Sequence, residues 1–272
     1  MRRFAVGVEY CGAAFAGWQR QAGARTVEAE LCKALSSVAD ETVRVICGGR
    51  TDAGVHGMAQ VAHFDTAARR SLHAWLVGVN GALPADVALR WVRPVSGHFH
   101  ARFSALGRCY RYVVLNRATR PALWRGRAWW VRDALNVEAM QNAGQDLLGE
   151  HDFTAFRAAR CQSRSPVRRV DALRVWREGE WLAIEITANA FLHHMVRNIV
   201  GLLVAVGRGR AAASWAGEVL RNRDRRLAAL TAPADGLYLA RIDYPAAFGL
   251  PMPGNEGAGR GSGIIMPTAT QG

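Results

Sequence analysis

One carboxylate stands between an arginine and a histidine in a glycine-rich stretch early in the chain. Residues 48–57 read GGRTDAGVHG, so Asp52 lies two residues after Arg50 and four before His56. Glycines permit positive φ angles and let another molecule approach the backbone closely. A carboxylate can act as a nucleophile or a base, and an arginine can donate charge-assisted hydrogen bonds to a phosphate. The simpler alternative is a hairpin turn that Asp52 caps through its own backbone.

A tyrosine pair lies on the predicted strand 109–115. Alternation along the strand turns Tyr110 and Tyr112 to the same face. Such pairs are ordinarily core residues whose hydroxyls find a hydrogen-bond partner, and we favour that reading for Tyr112.

Arg197 interrupts a predicted helix, 192–207, that is apolar nearly all round. Such a helix is expected to be buried, and a buried guanidinium needs a carboxylate partner. Glu185, on the preceding strand, is one structural candidate for that partner.

The elements that must position these groups alternate between strands and helices. Apolar spacing predicts the helices, with Thr26 and Asn136 as N-caps of two of them. A hairpin turn is expected at 177–180. Strands interrupted by helices, with hairpins, indicate an α+β fold with a mixed, mainly antiparallel sheet. We predict strands at 4–10, 43–46, 59–64, 87–95, 109–115, 170–176, 181–188 and 237–242, and helices at 27–38, 72–81, 137–149, 192–207 and 215–221.

Composition limits the class of protein. Half of the 272 residues are hydrophobic, enough for a proper core, and the five cysteines show no CxxC spacing. Reduced, buried thiols in a cytoplasmic protein are therefore expected. The longest apolar stretch, 199–206, is far shorter than the roughly 20 residues that span a bilayer, so membrane insertion is not expected. His98 and His100 share a strand-like face and His193 and His194 diverge on a helix, but no acid or cysteine stands at a zinc-ligand spacing, and we predict no metal site.

Positive charge points to a polyanionic partner. The chain carries 35 basic against 22 acidic residues, a formal net charge of +13. Seven arginines fall within residues 157–177, which contain only one acid, Asp171, with Glu178 directly after them. We expect this segment to contact phosphates, although a solvated loop would also explain a charge run. The residues predicted to make these phosphate contacts are Arg157, Arg160, Arg164, Arg168 and Arg169, and the resemblance described next implies that the phosphates are those of RNA.

The string RTDAGVH around Asp52 resembles the signature loop of the tRNA pseudouridine synthase A family. Four more segments are similar to that family and occur in the family's order, so the resemblance covers about residues 3–245. They are RRFAVGVEY with the following FAGWQ, RCYRYVV at 108–114, FLHHMVRNIVG at 191–201 and APADGLYL at 232–239.

The resemblance implies roles for individual residues. Asp52 would be the catalytic aspartate, with Arg197 as its ion-pair partner, and Tyr110 would stack on the target base and serve the proton step at its C5. Arg50 would touch the RNA backbone and Leu237 would form an apolar pocket wall. His56 is grouped with the substrate-binding residues, but we favour a hydrogen bond that fixes the loop over a role as base.

The resemblance also implies an architecture and a reaction. We expect two similar halves, 1–104 with the aspartate loop and 105–246, whose sheets join beside a central basic cleft, and a disordered tail at 247–272. The reaction would be isomerisation of uridine to pseudouridine in the tRNA anticodon stem-loop, around positions 38 to 40, by a cytoplasmic homodimer without cofactor. Attack on C1′ and removal of the C2′ proton both remain open for Asp52.

Two other function classes fit parts of this pattern. An inactive RNA chaperone would keep the basic surface without the chemistry, and a hydrolase could use Asp52 and His56 on a phosphodiester. Binding without product would indicate the chaperone. Cleaved RNA or dependence on a divalent metal would indicate the hydrolase.

Overall fold

Strands and helices alternate along the chain as the sequence predicts, in a computed structural model that describes residues 1–159 and 161–251. Short 3-10 turns lie between several of them. The strands are β1 (Arg2–Tyr10), β2 (Val45–Cys47), β3 (His56–Thr66), β4 (Val87–Val95), β5 (Gly107–Asn116), β6 (Trp129–Val131), β7 (Gly149–Asp152), β8 (Val167–Glu178), β9 (Trp181–Ala188) and β10 (Leu237–Asp243), and the helices are α1 (Val27–Ala39), α2 (Leu72–Ala82), α3 (Val137–Gln145), α4 (Met195–Gly207) and α5 (Trp215–Asn222).

The two predicted N-caps behave differently. The Asn136 side chain accepts a hydrogen bond from the Ala139 amide at the start of α3, as expected. Thr26 occupies the N-cap position of α1, but its side chain makes no cap hydrogen bond and its hydroxyl is buried. The prediction that Thr26 caps α1 through its side chain is therefore wrong. Burial of Leu31, Leu35 and Val27 against the sheet holds this helix in place instead.

The contacts group the described residues into two units. The first comprises Met1–Tyr110, Thr187–Ala190 and Leu237–Leu250. Its strands follow the order β4-β1-β3-β10 and continue to the start of β5, while β2 pairs with β3. The pairs β1–β3, β1–β4 and β2–β3 are antiparallel, and β10 runs parallel to β3. Helices α1 and α2 pack together and bury their apolar faces on β1, β3 and β4.

The second unit contains the described residues of Arg111–Ile186 and Phe191–Gly236. Its strand order is β5-β9-β8-β7, and the short strand β6 pairs in parallel with β5. Strands β7 and β8 pair antiparallel, and α3 packs against both α4 and β8. Helix α4 is buried almost throughout, as its apolar sequence predicts. The α+β class with a mainly antiparallel mixed sheet is thus confirmed.

Several predicted boundaries differ from those of the structure. Helix α3 ends at Gln145, four residues before the predicted end, and α4 begins at Met195. The predicted division after residue 104 stays a prediction. Of the predicted tail, Phe248 packs edge to face on Phe99 with ring centroids 5.1 Å apart, and residues 252–272 lie outside the described residues. No helix in the described part of the chain is long and apolar enough to cross a membrane.

Candidate active site

The Asp52 loop, residues 48–55, connects β2 to β3 in the first unit. Val55 donates its amide to the carbonyl of Asp52 at 3.1 Å, and Gly54 between them has a φ of +79°. A turn with positive φ at its third residue is of type II, and only glycine takes that conformation without strain. The turn leaves the Asp52 side chain partly exposed, so a substrate can reach the carboxylate.

The segment after β1 clamps this loop through its backbone. Trp18 donates its amide to Thr51 O at 3.0 Å, and Gly54 donates to Phe15 O at 3.2 Å. Gly17 has a φ of +96°, and a Cβ built on it would lie 2.7 Å from Thr51 O. The chain can therefore approach the loop this closely only with a glycine at position 17.

Side chains from three strands hold the loop at two backbone carbonyls, one backbone amide and one hydroxyl. Arg108 donates to the Gly48 carbonyl from Nε at 3.2 Å and Nη2 at 2.8 Å. Gln60 forms a reciprocal pair with Gly49, donating at 2.5 Å and accepting at 3.3 Å. Tyr10 shares a 2.8 Å hydrogen bond with the Thr51 hydroxyl.

Gln60, Arg108 and Tyr10 were not among the sequence-predicted site residues. A glutamine inside the apolar alternation of β3, and an arginine two residues before Tyr110, were the signals that could have found two of them. Gln60 is fully buried and donates to and accepts from a single peptide, so it fixes the orientation of that peptide.

Tyr110 lies directly beside the Asp52 loop. Its hydroxyl donates to the carbonyl of Arg50 at 3.4 Å, and only 8% of the residue is exposed. Burial raises the pKa of the Tyr110 phenol far above its ordinary value, and the nearby Tyr10 and Asp52 groups raise that pKa further. The phenol is therefore neutral and keeps a proton to donate at any physiological pH.

His56 supports the loop from its end. Its Nδ1 accepts a hydrogen bond from the Gly12 amide at 3.0 Å, and its ring stacks on Tyr238 with centroids 4.6 Å apart. The residue is 2% exposed. These contacts agree with the expected loop-fixing role, and burial keeps the ring from acting as a solvent-accessible base.

Arg50 and Leu237 lie on the first unit as well. The Arg50 backbone is held by Tyr110, while its side chain is exposed and able to meet a phosphate. Leu237 is buried at the start of β10. Their roles toward a substrate stay predictions.

Arg197 belongs to the second unit, in the first turn of α4. The sequence predicts a buried guanidinium, and the structure places it at intermediate burial, partly exposed where the helix begins. Its Nε donates to Ala232 O at 2.7 Å. Glu185, the structural alternative for its partner, instead pairs with Arg111 at 2.9 Å. The Asp52–Arg197 ion pair stays a prediction.

Tyr112 behaves as the core residue that we favoured. It is fully buried, and its hydroxyl donates to Pro233 O at 2.8 Å within the second unit. Burial raises its pKa well above the ordinary value.

The arginines of the basic segment, residues 157–177, differ from one another in exposure and in their partners. Arg164 is exposed and Arg157 is partly exposed, whereas Arg169 pairs with Asp171 at 2.6 Å. Arg168 folds back onto its own loop, donating to Ser163 Oγ at 2.6 Å and to two carbonyls. Arg160 lies outside the described residues. Arg164 therefore offers its charge to an anion most directly.

This arrangement can perform acid–base or nucleophilic chemistry. A partly exposed carboxylate projects from a loop whose backbone is fixed at five successive residues, Gly48 to Asp52, and a neutral phenol stands beside it. Fixed geometry of this kind lowers the entropy cost of aligning a reacting group.

One family model and three known proteins match most of this chain. The family model described as tRNA pseudouridine synthase matches residues 7–104 and 143–245. The chain is 57% identical over 248 residues to tRNA pseudouridine synthase A of Methylococcus capsulatus, covering 91% of this chain and 92% of that protein. It is 55% identical to the proteins of that name from Nitrosococcus oceani and Vibrio cholerae (strain O395), covering 92% of this chain and 96% and 94% of theirs.

Proposed function

The chain belongs to the tRNA pseudouridine synthase family, and we propose that it isomerises uridine to pseudouridine at positions 38 to 40 of the tRNA anticodon stem-loop, with Asp52 as the catalytic carboxylate. The enzyme is an isomerase of that family. The observation that carries the role of Asp52 is the loop itself, whose backbone is fixed while the carboxylate stays accessible.

The reaction breaks the N1–C1′ bond of uridine and forms a C5–C1′ bond, with no net oxidation or reduction. Asp52 either attacks C1′, so that uracil leaves, or removes the C2′ proton to give a glycal. Uracil then turns and C5 joins C1′, while the Asp52–C1′ bond breaks in the first route or C2′ regains its proton in the second. C5 finally loses its proton to a base and N1 gains one. The bond changes therefore need no redox cofactor.

Tyr110 suits the base-facing side of this reaction. Its ring can stack on uracil, because every nucleobase has a π face. Since burial raises the pKa of its phenol, the hydroxyl enters the reaction as a proton donor or a hydrogen-bond partner. The reaction removes a proton from C5 and adds one to N1, so a proton donor is needed beside the base.

The substrate must be bound as RNA and its uridine must leave the stack. Flipping is required because a stacked base is unreachable. The exposed Arg50 and Arg164 are suited to phosphates, and the net charge of +13 favours a polyanion. We place Arg197 as the ion-pair partner of Asp52 and Leu237 as an apolar wall, and we propose a cytoplasmic homodimer.

The experiment measures release of the C5 hydrogen from tRNA labelled at C5 of its uridines. Purified wild-type protein is expected to release it without added cofactor and in the presence of a chelator. The Asp52→Ala variant should bind the same tRNA but release none.

Three outcomes would refute this function or replace it. Equal release by both proteins would remove Asp52 from the chemistry. Binding without release by the wild type would indicate an RNA chaperone, and cleaved RNA or a requirement for divalent metal would indicate a hydrolase.

A further inference from the structure

One aromatic side chain of the first unit projects into solvent beside the candidate site. Phe103 lies in the turn 100–104 between β4 and β5, and 75% of it is exposed. Its ring stacks on His100 with centroids 4.4 Å apart and an interplanar angle of 27°. The Arg102 guanidinium lies 5.5 Å from the ring centroid. The phenyl ring thus contacts both His100 and the Arg102 guanidinium, and most of the side chain remains exposed.

The turn that carries Phe103 is held by several hydrogen bonds of its own. The Ser104 amide donates to His100 O at 2.8 Å, and the His100 amide donates to Ser104 Oγ at 3.0 Å. The amides of Arg102 and Phe103 both donate to Nδ1 of His100, at 3.3 and 3.2 Å. A turn tied in this way presents the phenyl ring in a fixed orientation, which lowers the entropy cost of binding a partner.

Arg108 connects this turn to the Asp52 loop. Its Nη2 donates to Arg102 O and to Gly48 O, each at 2.8 Å. Its Nη1 donates to Asn189 O at 3.1 Å and Ala105 O at 3.4 Å. With the Nε bond to Gly48, all of its N–H groups are directed at backbone carbonyls. Phe103 and Asp52 are therefore carried by two backbone segments that share one guanidinium.

The surroundings of Phe103 carry positive charge. Arg102 and Arg50 are both exposed, and both lie close enough to Cys47 to oppose the rise in its pKa that burial causes. An exposed aromatic ring flanked by arginines matches the chemistry of single-stranded nucleic acid, in which bases stack and phosphates need cations. A second protein surface would not require these charges.

We propose that Phe103 is a stacking platform for an unpaired nucleobase of the RNA substrate, adjacent to the nucleotide at Asp52. The proposal rests on the proposed function for the identity of the RNA. In this arrangement the base stacks on the exposed part of the phenyl ring and the neighbouring Arg102 neutralises its phosphate. Arg108 holds the turn that carries Phe103 to the Asp52 loop.

The test measures the Kd of a tRNA anticodon stem-loop for full-length variants at fixed salt. Stacking by one base is worth about 1 to 3 kcal/mol, so Phe103→Ala should weaken binding roughly 5- to 150-fold. Phe103→Trp, which keeps a π face, should bind within about threefold of the wild type. Phe103→Leu, which keeps apolar area without a π face, should bind nearly as weakly as the alanine variant.

Leu123→Ala is the matched control, because Leu123 is 89% exposed and belongs to the second unit. It should leave Kd unchanged. Wild-type affinity in Phe103→Ala or in Phe103→Leu would overturn the platform. If Phe103→Ala fails to fold, the Kd values of Phe103→Trp and Phe103→Leu are compared instead. Equal Kd values for these two variants would overturn the platform.

Two further measurements separate the alternatives. Sedimentation of Phe103→Ala should give the wild-type mass, and a loss of self-association with unchanged RNA affinity would overturn the platform in favour of an interface between copies of the chain. Pseudouridine formation by the wild type tests the proposed function separately. Product formation with an unaffected Phe103→Ala Kd would refute the platform alone.

Discussion

At the scale of single residues, the candidate site depends on side chains that hold backbone rather than one another. Gln60, Arg108 and Tyr110 each bond to a peptide group of the Asp52 loop. The string around Asp52 predicts the loop and the proposed carboxylate. It does not predict Gln60 or Arg108, because their contacts depend on how β3 and β5 lie beside the loop in the folded chain.

Tyr110→Phe removes one hydroxyl and keeps the ring. Because the neutral phenol is the proposed proton donor, kcat should fall roughly 100-fold or more while KM for tRNA changes little. The raised pKa also means that wild-type activity should show no loss from ionisation of this tyrosine near pH 10, where ordinary tyrosines titrate. Steady-state kinetics across pH 6 to 10 measure both. A phenylalanine variant with wild-type kcat would show that the hydroxyl has no chemical role.

At the scale of elements, the periodic segments were predictable and the shortest ones were not. The bounds of β4 and β9 agree with the sequence prediction. Strands β6 and β7 have three and four residues, too few to show a period. The early end of α3 and the absent Thr26 cap reflect tertiary packing, which local propensity does not contain.

The clamp between the segment after β1 and the Asp52 loop can be tested with two glycines. Gly17→Ala should lower the free energy of unfolding by more than about 1 kcal/mol and reduce kcat, because it combines positive φ with a contact to Thr51 O. Gly23→Ala, which also has positive φ but open space around it, should cost only the backbone strain and leave kcat intact. Urea unfolding and pseudouridine assays compare them. Equal effects on kcat would argue against the clamp.

At the scale of the whole molecule, buried tyrosines make stability sensitive to alkali. Tyr10, Tyr110, Tyr112 and Tyr244 all have pKa values raised by burial above the ordinary value. In the unfolded chain these phenols ionise near pH 10, whereas in the folded protein they stay neutral. Their contribution to stability is therefore complete below pH 10 and is lost as the pH rises beyond it.

We expect the urea midpoint to fall steeply above pH 10, with tyrosinate absorbance near 295 nm appearing together with the loss of circular dichroism. Tyr112→Phe should make this fall shallower, because one group no longer ionises on unfolding. Ionisation of these tyrosines with the ordinary midpoint near pH 10, in protein that keeps its native dichroism, would contradict the burial of these phenols.

The negative charge of Asp52 is the central claim, and Asp52→Asn removes it with almost no change in shape. Single-turnover formation of pseudouridine, with tRNA fully bound to excess enzyme, measures the chemical step alone. The asparagine variant should bind tRNA about as tightly as the wild type and form product at least about 1000-fold more slowly. Comparable single-turnover rates for the two proteins would contradict the account.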